Sequence, residues 1–210
     1  MRLAKFIIEN LDTILQEWED FAVTLVPPPQ KKDHAMLRDH VKQMLETIAA
    51  DLARPETGHD QREKSKGRRR IIKTPAATHG ADRLKSGFSL VSTMAEYRAL
   101  RASVTRLWQE AHLNKPLAKA AEEDIIRFNE AIDQAVSESV VSFSNKKEQQ
   151  TRVFKTILSS LPDLSFTFDL TGKFTYANKA LTKLLRLPIE KLVGKNHVDL
   201  GLPMAAAMQE

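Results

Sequence analysis

The stretch THGADRLKSGFSLVSTMAEYRALRASVTRLW, Thr78 to Trp108, decides the fold class. Its apolar residues Leu84, Phe88, Val91, Met94, Ala95, Val104, Leu107 and Trp108, continued by Ala111, keep one face of a helix apolar. The pattern predicts a single long helix. It starts at Thr74 or Pro75, where proline suits a first turn, and Asn114 and Pro116 stop it. A helix with one apolar face must bury it against others, so the chain should be a helical bundle.

The flanks supply the partners. From Leu3 to Val26 the residues Phe6, Ile7, Leu11, Ile14, Leu15, Trp18, Phe21, Ala22 and Leu25 follow helical spacing, and Pro27, Pro28 and Pro29 end the run. Asp33 is the expected N-cap of a second helix whose face is Leu37, Val41, Met44, Leu45, Ile48 and Leu52, closed by Pro55. After the long helix, a further one runs from about Leu117 to Ser144 through Ile125, Phe128, Ile132, Ala135, Ser139 and Phe143. Residues 145–161 resume the spacing at Val153, Phe154, Ile157, Leu158 and Leu161. They form a connecting helix, either separate from or continuous with the previous one, that crosses between domains or pairs with a second copy.

Beyond Leu161 the period changes. Phe166, Phe168 and Leu170 alternate with Ser165, Thr167 and Asp169, as in a half-buried strand. Thr171-Gly172 makes a turn into a second strand at Phe174 and Tyr176. Short helices follow at 178–185 and 189–192, with Gly194 as the stop.

Composition narrows the function. The 210 residues include no cysteine, which removes disulfides, thiolate metal sites and a Cys nucleophile, and fits a reducing compartment. No run of 18 or more apolar residues is present, and the acidic, amphipathic N-terminus is not a secretory signal, so no membrane partner is expected. The net charge of +5 comes from Arg62 to Lys73, REKSKGRRRIIK, with seven basic residues and one acidic. This stretch lies in a polar segment, Glu56 to Thr74, without period. A solvated loop is the expectation, with an anionic-partner patch as the rival; nucleic acid is not the expected partner.

Candidate chemistry is sparse. His79 and Arg83 are four residues apart and share a helix face, with Glu96, Arg98 and Arg101 further along. His79, Arg83, Glu96 and Arg101 are the candidate ligand-binding residues, lining a polar pocket or holding an anion. The competing reading is a buried salt-bridge network that sets helix register. The six histidines, His34, His40, His59, His79, His112 and His197, lack the close pairing of a zinc site, and only His112 stands near an apolar face as a heme ligand would. No catalytic residue, metal or cofactor is therefore expected. The seven glycines are isolated, and no histidine sits in a kinase phosphoacceptor sequence, so this chain is not expected to be an enzyme. Trp18, Phe88, Tyr97 and Trp108 read as core, or as an aromatic-lined pocket or dimer face.

Two resemblances add to this reading. DLTGKF, YANKA and LLRLPIEKLVGKN, with Asp169, Gly172, Asn178, Ala180, Leu185, Gly194 and Lys195 in place, resemble the opening of a PAS domain over Leu158 to about Leu202. A whole PAS domain has about 100 residues, so the resemblance implies a truncated α/β PAS segment from a longer sensor, without the parts that make a heme, flavin or metabolite cleft. FIIENLDTILQEWEDFA, LRDHVKQMLETIAADL and the opening stretch resemble the N-terminal domain of the RsbRD type of stressosome co-antagonist, over Met1 to Phe143. Related domains resemble globins without heme. That family implies a cytoplasmic, dimeric input domain that hands a signal to an output domain.

The expected organisation is then mainly α, a helical bundle, for which the family resemblance implies a globin-like form. Residues 1–144 are the helical input domain, 145–161 the connecting signalling helix and 162–210 the incomplete PAS segment. The expected role is the signal-input region of a bacterial cytoplasmic sensor, of the two-component sensor histidine kinase branch. It forms a homodimer coupled to a downstream output domain or kinase, with an unidentified small-molecule signal. The alternative is a stressosome-like interaction scaffold.

Overall fold

The computed structural model describes residues 1–25, 34–55, 57–59, 62, 74–112 and 119–201. The chain divides into two compact units, Met1–Lys147 and Glu148–Glu210.

The first unit is a helical bundle. Helix α1, Leu3–Glu9, packs on α3, His34–Ala53, and α2, Leu11–Thr24, packs on α5, Leu90–Glu110. Helix α4, Pro75–Lys85, lies against α3, and α6, Lys119–Ser160, adds Phe128, Ile132 and Ala135 to the common core. Trp108, Leu3, Ile7, Ile14, Leu15, Leu45, Leu52, Leu100 and Ile132 are among its fully buried side chains.

The first predicted helix is two. Asn10 stands at φ −114° and ψ 18°, and its side-chain amide donates to the Phe6 carbonyl at 2.9 Å. A short polar side chain that bonds nearby backbone competes with the helix ladder, which explains the interruption.

The opening stretch also yields two helices rather than one. Helix α4 starts at Pro75 as expected, and Thr74 caps it by accepting from the Ala77 amide. Seven residues after Gly80 the helix closes: the Phe88 amide donates to Arg83 O and the Gly87 amide to Leu84 O, with Gly87 at φ 73°. This is a Schellman cap, and glycine suits its left-handed position. Ser89 then caps α5 by accepting from the Ser92 amide. The break resets the helix phase. Val91 becomes 75% exposed, whereas Thr93, Glu96, Tyr97, Leu100, Val104 and Trp108 form the buried face.

Residues 119–144 and 145–160 of the expected connecting segment share one helix, α6, with no interruption between Lys119 and Ser160. The proline stops at 27–29 and 116, the Asp33 cap and nearly all of the basic segment at 62–73 lie outside the described residues.

In the second unit β1, Phe166–Phe168, pairs antiparallel with β2, Phe174–Ala177. Asp169 builds the turn: its Oδ1 accepts from the amides of Thr171 and Lys173 and from the Thr171 hydroxyl, and Gly172 takes φ 77°. Helices α7, Lys179–Leu185, and α8, Ile189–Leu192, fold back, and the stop at Gly194 returns to the sheet through Gly194 N to Phe174 O and Phe174 N to Lys195 O. Phe174, Ala177, Leu181 and Leu192 form a small core. Phe168 and Leu170 are exposed, contrary to the alternation, because the register shifts between Thr167 and Phe168 and Leu170 falls in the turn.

Candidate functional site

Three of the four candidate residues meet in the core of the first unit. The i, i+4 spacing on α4 puts His79 and Arg83 on one face, and α5 presents Glu96 to both. Arg83 Nε donates to Glu96 Oε2 at 2.8 Å while its Nη2 lies 2.5 Å from Oε1, and His79 Nε2 lies 2.8 Å from the same Oε2. Each of the three residues is 1% exposed. A guanidinium fork on a carboxylate is the pairing best able to sit away from water.

Arg101 does not join them. Its guanidinium pairs with Asp133 at the surface. Five residues from Glu96 turn a helix by about 500°, or some 140° from the starting face, so sharing a helix does not place both inward.

Burial lowers the His79 pKa, with the hydrogen bond and charge of Glu96 opposing and the charges of Arg83 and His40 reinforcing. The neutral ring therefore donates Nε2–H to Glu96 and leaves Nδ1 buried without a hydrogen-bond partner among the described residues. Burial also lowers the Arg83 pKa, countered by Glu96, and the guanidinium stacks over Phe88 at 4.2 Å and reaches Trp18 at 5.8 Å.

Other helices close the cluster. Trp18 on α2 and His40 on α3 stand edge-on to His79 at 6.3 and 6.4 Å between ring centroids, and Tyr97 does so at 5.8 Å. His40 Nε2 is 3.9 Å from Asp82 Oδ2. Burial raises the Tyr97 phenol, partly offset by the Ser139 hydroxyl of α6, although the two hydroxyls fall short of hydrogen-bond geometry. Gly80 makes this closeness feasible, since a Cβ there would lie 2.3 Å from Ser139 O. His40, Asp82 and Ser139 were not singled out from the sequence for this cluster. His40 carried a signal nonetheless, standing three residues after Leu37 and four before Met44 on the predicted stripe.

The neighbouring accessible space is a cleft of about 520 Å³ between α3, the start of α4 and α6, lined by Met44, Ile48, Thr74, Gln134, Ala135 and Glu138. There the Glu138 carboxylate accepts from Thr74 Oγ1 at 2.5 Å and Gln134 Nε2 at 2.7 Å. Among the described residues no group of three or more His, Cys, Asp or Glu could hold a metal ion, and no helix is long and apolar enough to cross a membrane.

Comparison with known families fits this architecture. The model of the RsbT co-antagonist protein rsbRD N-terminal domain matches residues 12–153, more than half of the chain. The chain belongs to the rsbRD N-terminal domain family. In this rsbRD-type chain a match to the PAS fold follows at residues 152–207. Both domains are regulatory rather than catalytic, and together they indicate a signal-input protein of stressosome-type regulation. Neither the curated proteins nor the solved structures give a match.

Proposed function

We propose that this chain is the input region of a cytoplasmic bacterial sensor histidine kinase, acting as a homodimer and relaying a stimulus through α6 to the PAS segment and an output domain. The observation that carries the reading is α6 itself. Its Phe128, Ile132, Ser139 and Phe143 are buried in the first unit, and its last turns belong to the second. A continuous helix whose ends answer to different units is an element that both can bias.

The buried ion cluster is the register key of that device. Three buried charged or polar side chains paired through Glu96 hold α4 and α5 in one alignment, a role such groups play where a register must be fixed. A small-molecule signal would act through the Glu138 cleft, which opens one residue from Ser139 on α6.

Size-exclusion chromatography with light scattering tests the oligomeric part: a dimer is expected, and a monomer at tens of micromolar overturns it. Hydrogen exchange tests the relay. Substitution Glu138→Gln should change exchange of the amides at 148–160, and a change confined to the first unit overturns the relay. The stressosome-like scaffold is the second reading, favoured by the family match itself. A large closed assembly rather than a dimer would select it.

A further inference from the structure

Asn178 is the most heavily used side chain of the second unit. It is 1% exposed, and its amide is saturated. Oδ1 accepts from the Leu181 amide at 3.1 Å, capping α7, and from the Ser165 amide at 3.1 Å, extending the strand pairing past Phe166 and Ala177. Nδ2 points the other way. It lies 2.7 Å from the Asp163 carbonyl and 3.3 Å from each of the Leu158 and Leu161 carbonyls. The partners fix the orientation of the amide, since the oxygen faces only donors and the nitrogen only acceptors.

The last carbonyls of a helix have no partner within it. In α6, which ends at Ser160, the Leu158 carbonyl finds its partner on Asn178, as do the Leu161 and Asp163 carbonyls just beyond the helix. The side chain is thus an N-cap for α7 on one edge and a C-terminal cap for α6 on the other. We infer that Asn178 is the positioning residue that latches the end of the long helix to the PAS segment, so that a movement of α6 is delivered to α7 and the hairpin through this amide. The latch deepens the relay reading and rests on it for its purpose, but its existence can be tested without any stimulus.

The two edges are chemically separable. Asn178→Asp keeps an acceptor for the Leu181 and Ser165 amides, and aspartate is as good an N-cap as asparagine. It loses both N–H donors and sets a carboxylate against three carbonyls at the negative end of a helix. Asn178→Ala loses both edges. Hydrogen exchange by mass spectrometry on the full chain reads the difference. Expected for Asn178→Asp is exchange about tenfold faster at the amides of residues 157–160, with Leu181 and Ser165 still protected. For Asn178→Ala all three regions should speed up.

Two results overturn the latch. One is unchanged exchange at 157–160 in Asn178→Asp. The other is an equal loss of protection across the whole second unit in both variants, which would make Asn178 a requirement of the PAS fold and nothing more. Failure of the relay reading looks different: Asn178→Asp loosens the helix end as expected, while Glu138→Gln leaves the amides at 148–160 unmoved.

Discussion

Among the described residues Glu96 is the anion paired with both His79 and Arg83, and the consequences of removing its charge differ from those of removing a surface charge. Glu96→Gln leaves the Arg83 guanidinium without a counter-charge at 1% exposure. The expected loss is about 3–5 kcal/mol, read as a lowered midpoint in urea unfolding. Arg101→Ala removes a surface pair with Asp133 and should change stability by no more than about 0.5 kcal/mol. His79 makes the same cluster sensitive to pH. Its folded pKa lies below the ordinary 6.5, so between the two values only the unfolded chain takes up the proton. Stability is therefore complete above about 6.5 and falls as pH drops through that window, by up to about 1.4 kcal/mol per unit. Thermal melting at pH 7.5 and 5.5 should show the drop, and His79→Gln should flatten it. His79 and Arg83 were legible from their spacing. The exclusion of Arg101 was equally available from the helical angle. The inclusion of His40 and Ser139 was not, because their helices are brought there by packing.

At the level of elements, the close contact of α4 with α6 depends on Gly80. In an isolated helix Gly→Ala is stabilising by about 1 kcal/mol. Here the added Cβ would meet backbone atoms of Ser139 at 2.3 and 2.8 Å, and backbone cannot swing aside as a side chain can. Gly80→Ala is expected to destabilise by about 1–3 kcal/mol, measured in the same unfolding experiment; a rise in stability would show that the two helices can part at little cost. The division of the opening stretch into α4 and α5 was written in its sequence. Lys85-Ser86-Gly87-Phe88-Ser89 holds a C-terminal glycine and an N-cap serine in succession. Periodicity overrode these signals because a four-residue interruption, 86–89, leaves apolar residues at nearly helical spacing on both sides. The continuity of α6 was left open for the opposite reason: the polar run 144–152 holds no Pro or Gly to break the helix, yet no apolar period to carry the helix through it.

For the whole molecule, the later half of α6 presents Val153, Phe154 and Ile157 at 53%, 61% and 54% exposure. Apolar residues of that size at helical spacing are costly to leave in water, at about 1.5–3 kcal/mol for each fully buried side chain. If the chain acts as a dimer through this face, Phe154→Glu with Ile157→Glu should turn the dimer into a monomer by light scattering while the helical circular dichroism stays within a few per cent. A dimer that survives both charges would place its interface on the bundle.

Taken alone, the sequence determined what local physics governs: the helical character and stripes of the first unit, the change to period two at Phe166, the turn at Gly172, the helix starts near Pro75 and Asn178, and the family resemblances that follow from them. The tertiary structure decided which polar side chains lose water together. Whether His79, Arg83 and Glu96 form an open pocket or a closed ion cluster depends on how α2, α3 and α6 pack over them. That packing is set by contacts such as Gly80 on Ser139, between residues 59 positions apart, which no local period encodes.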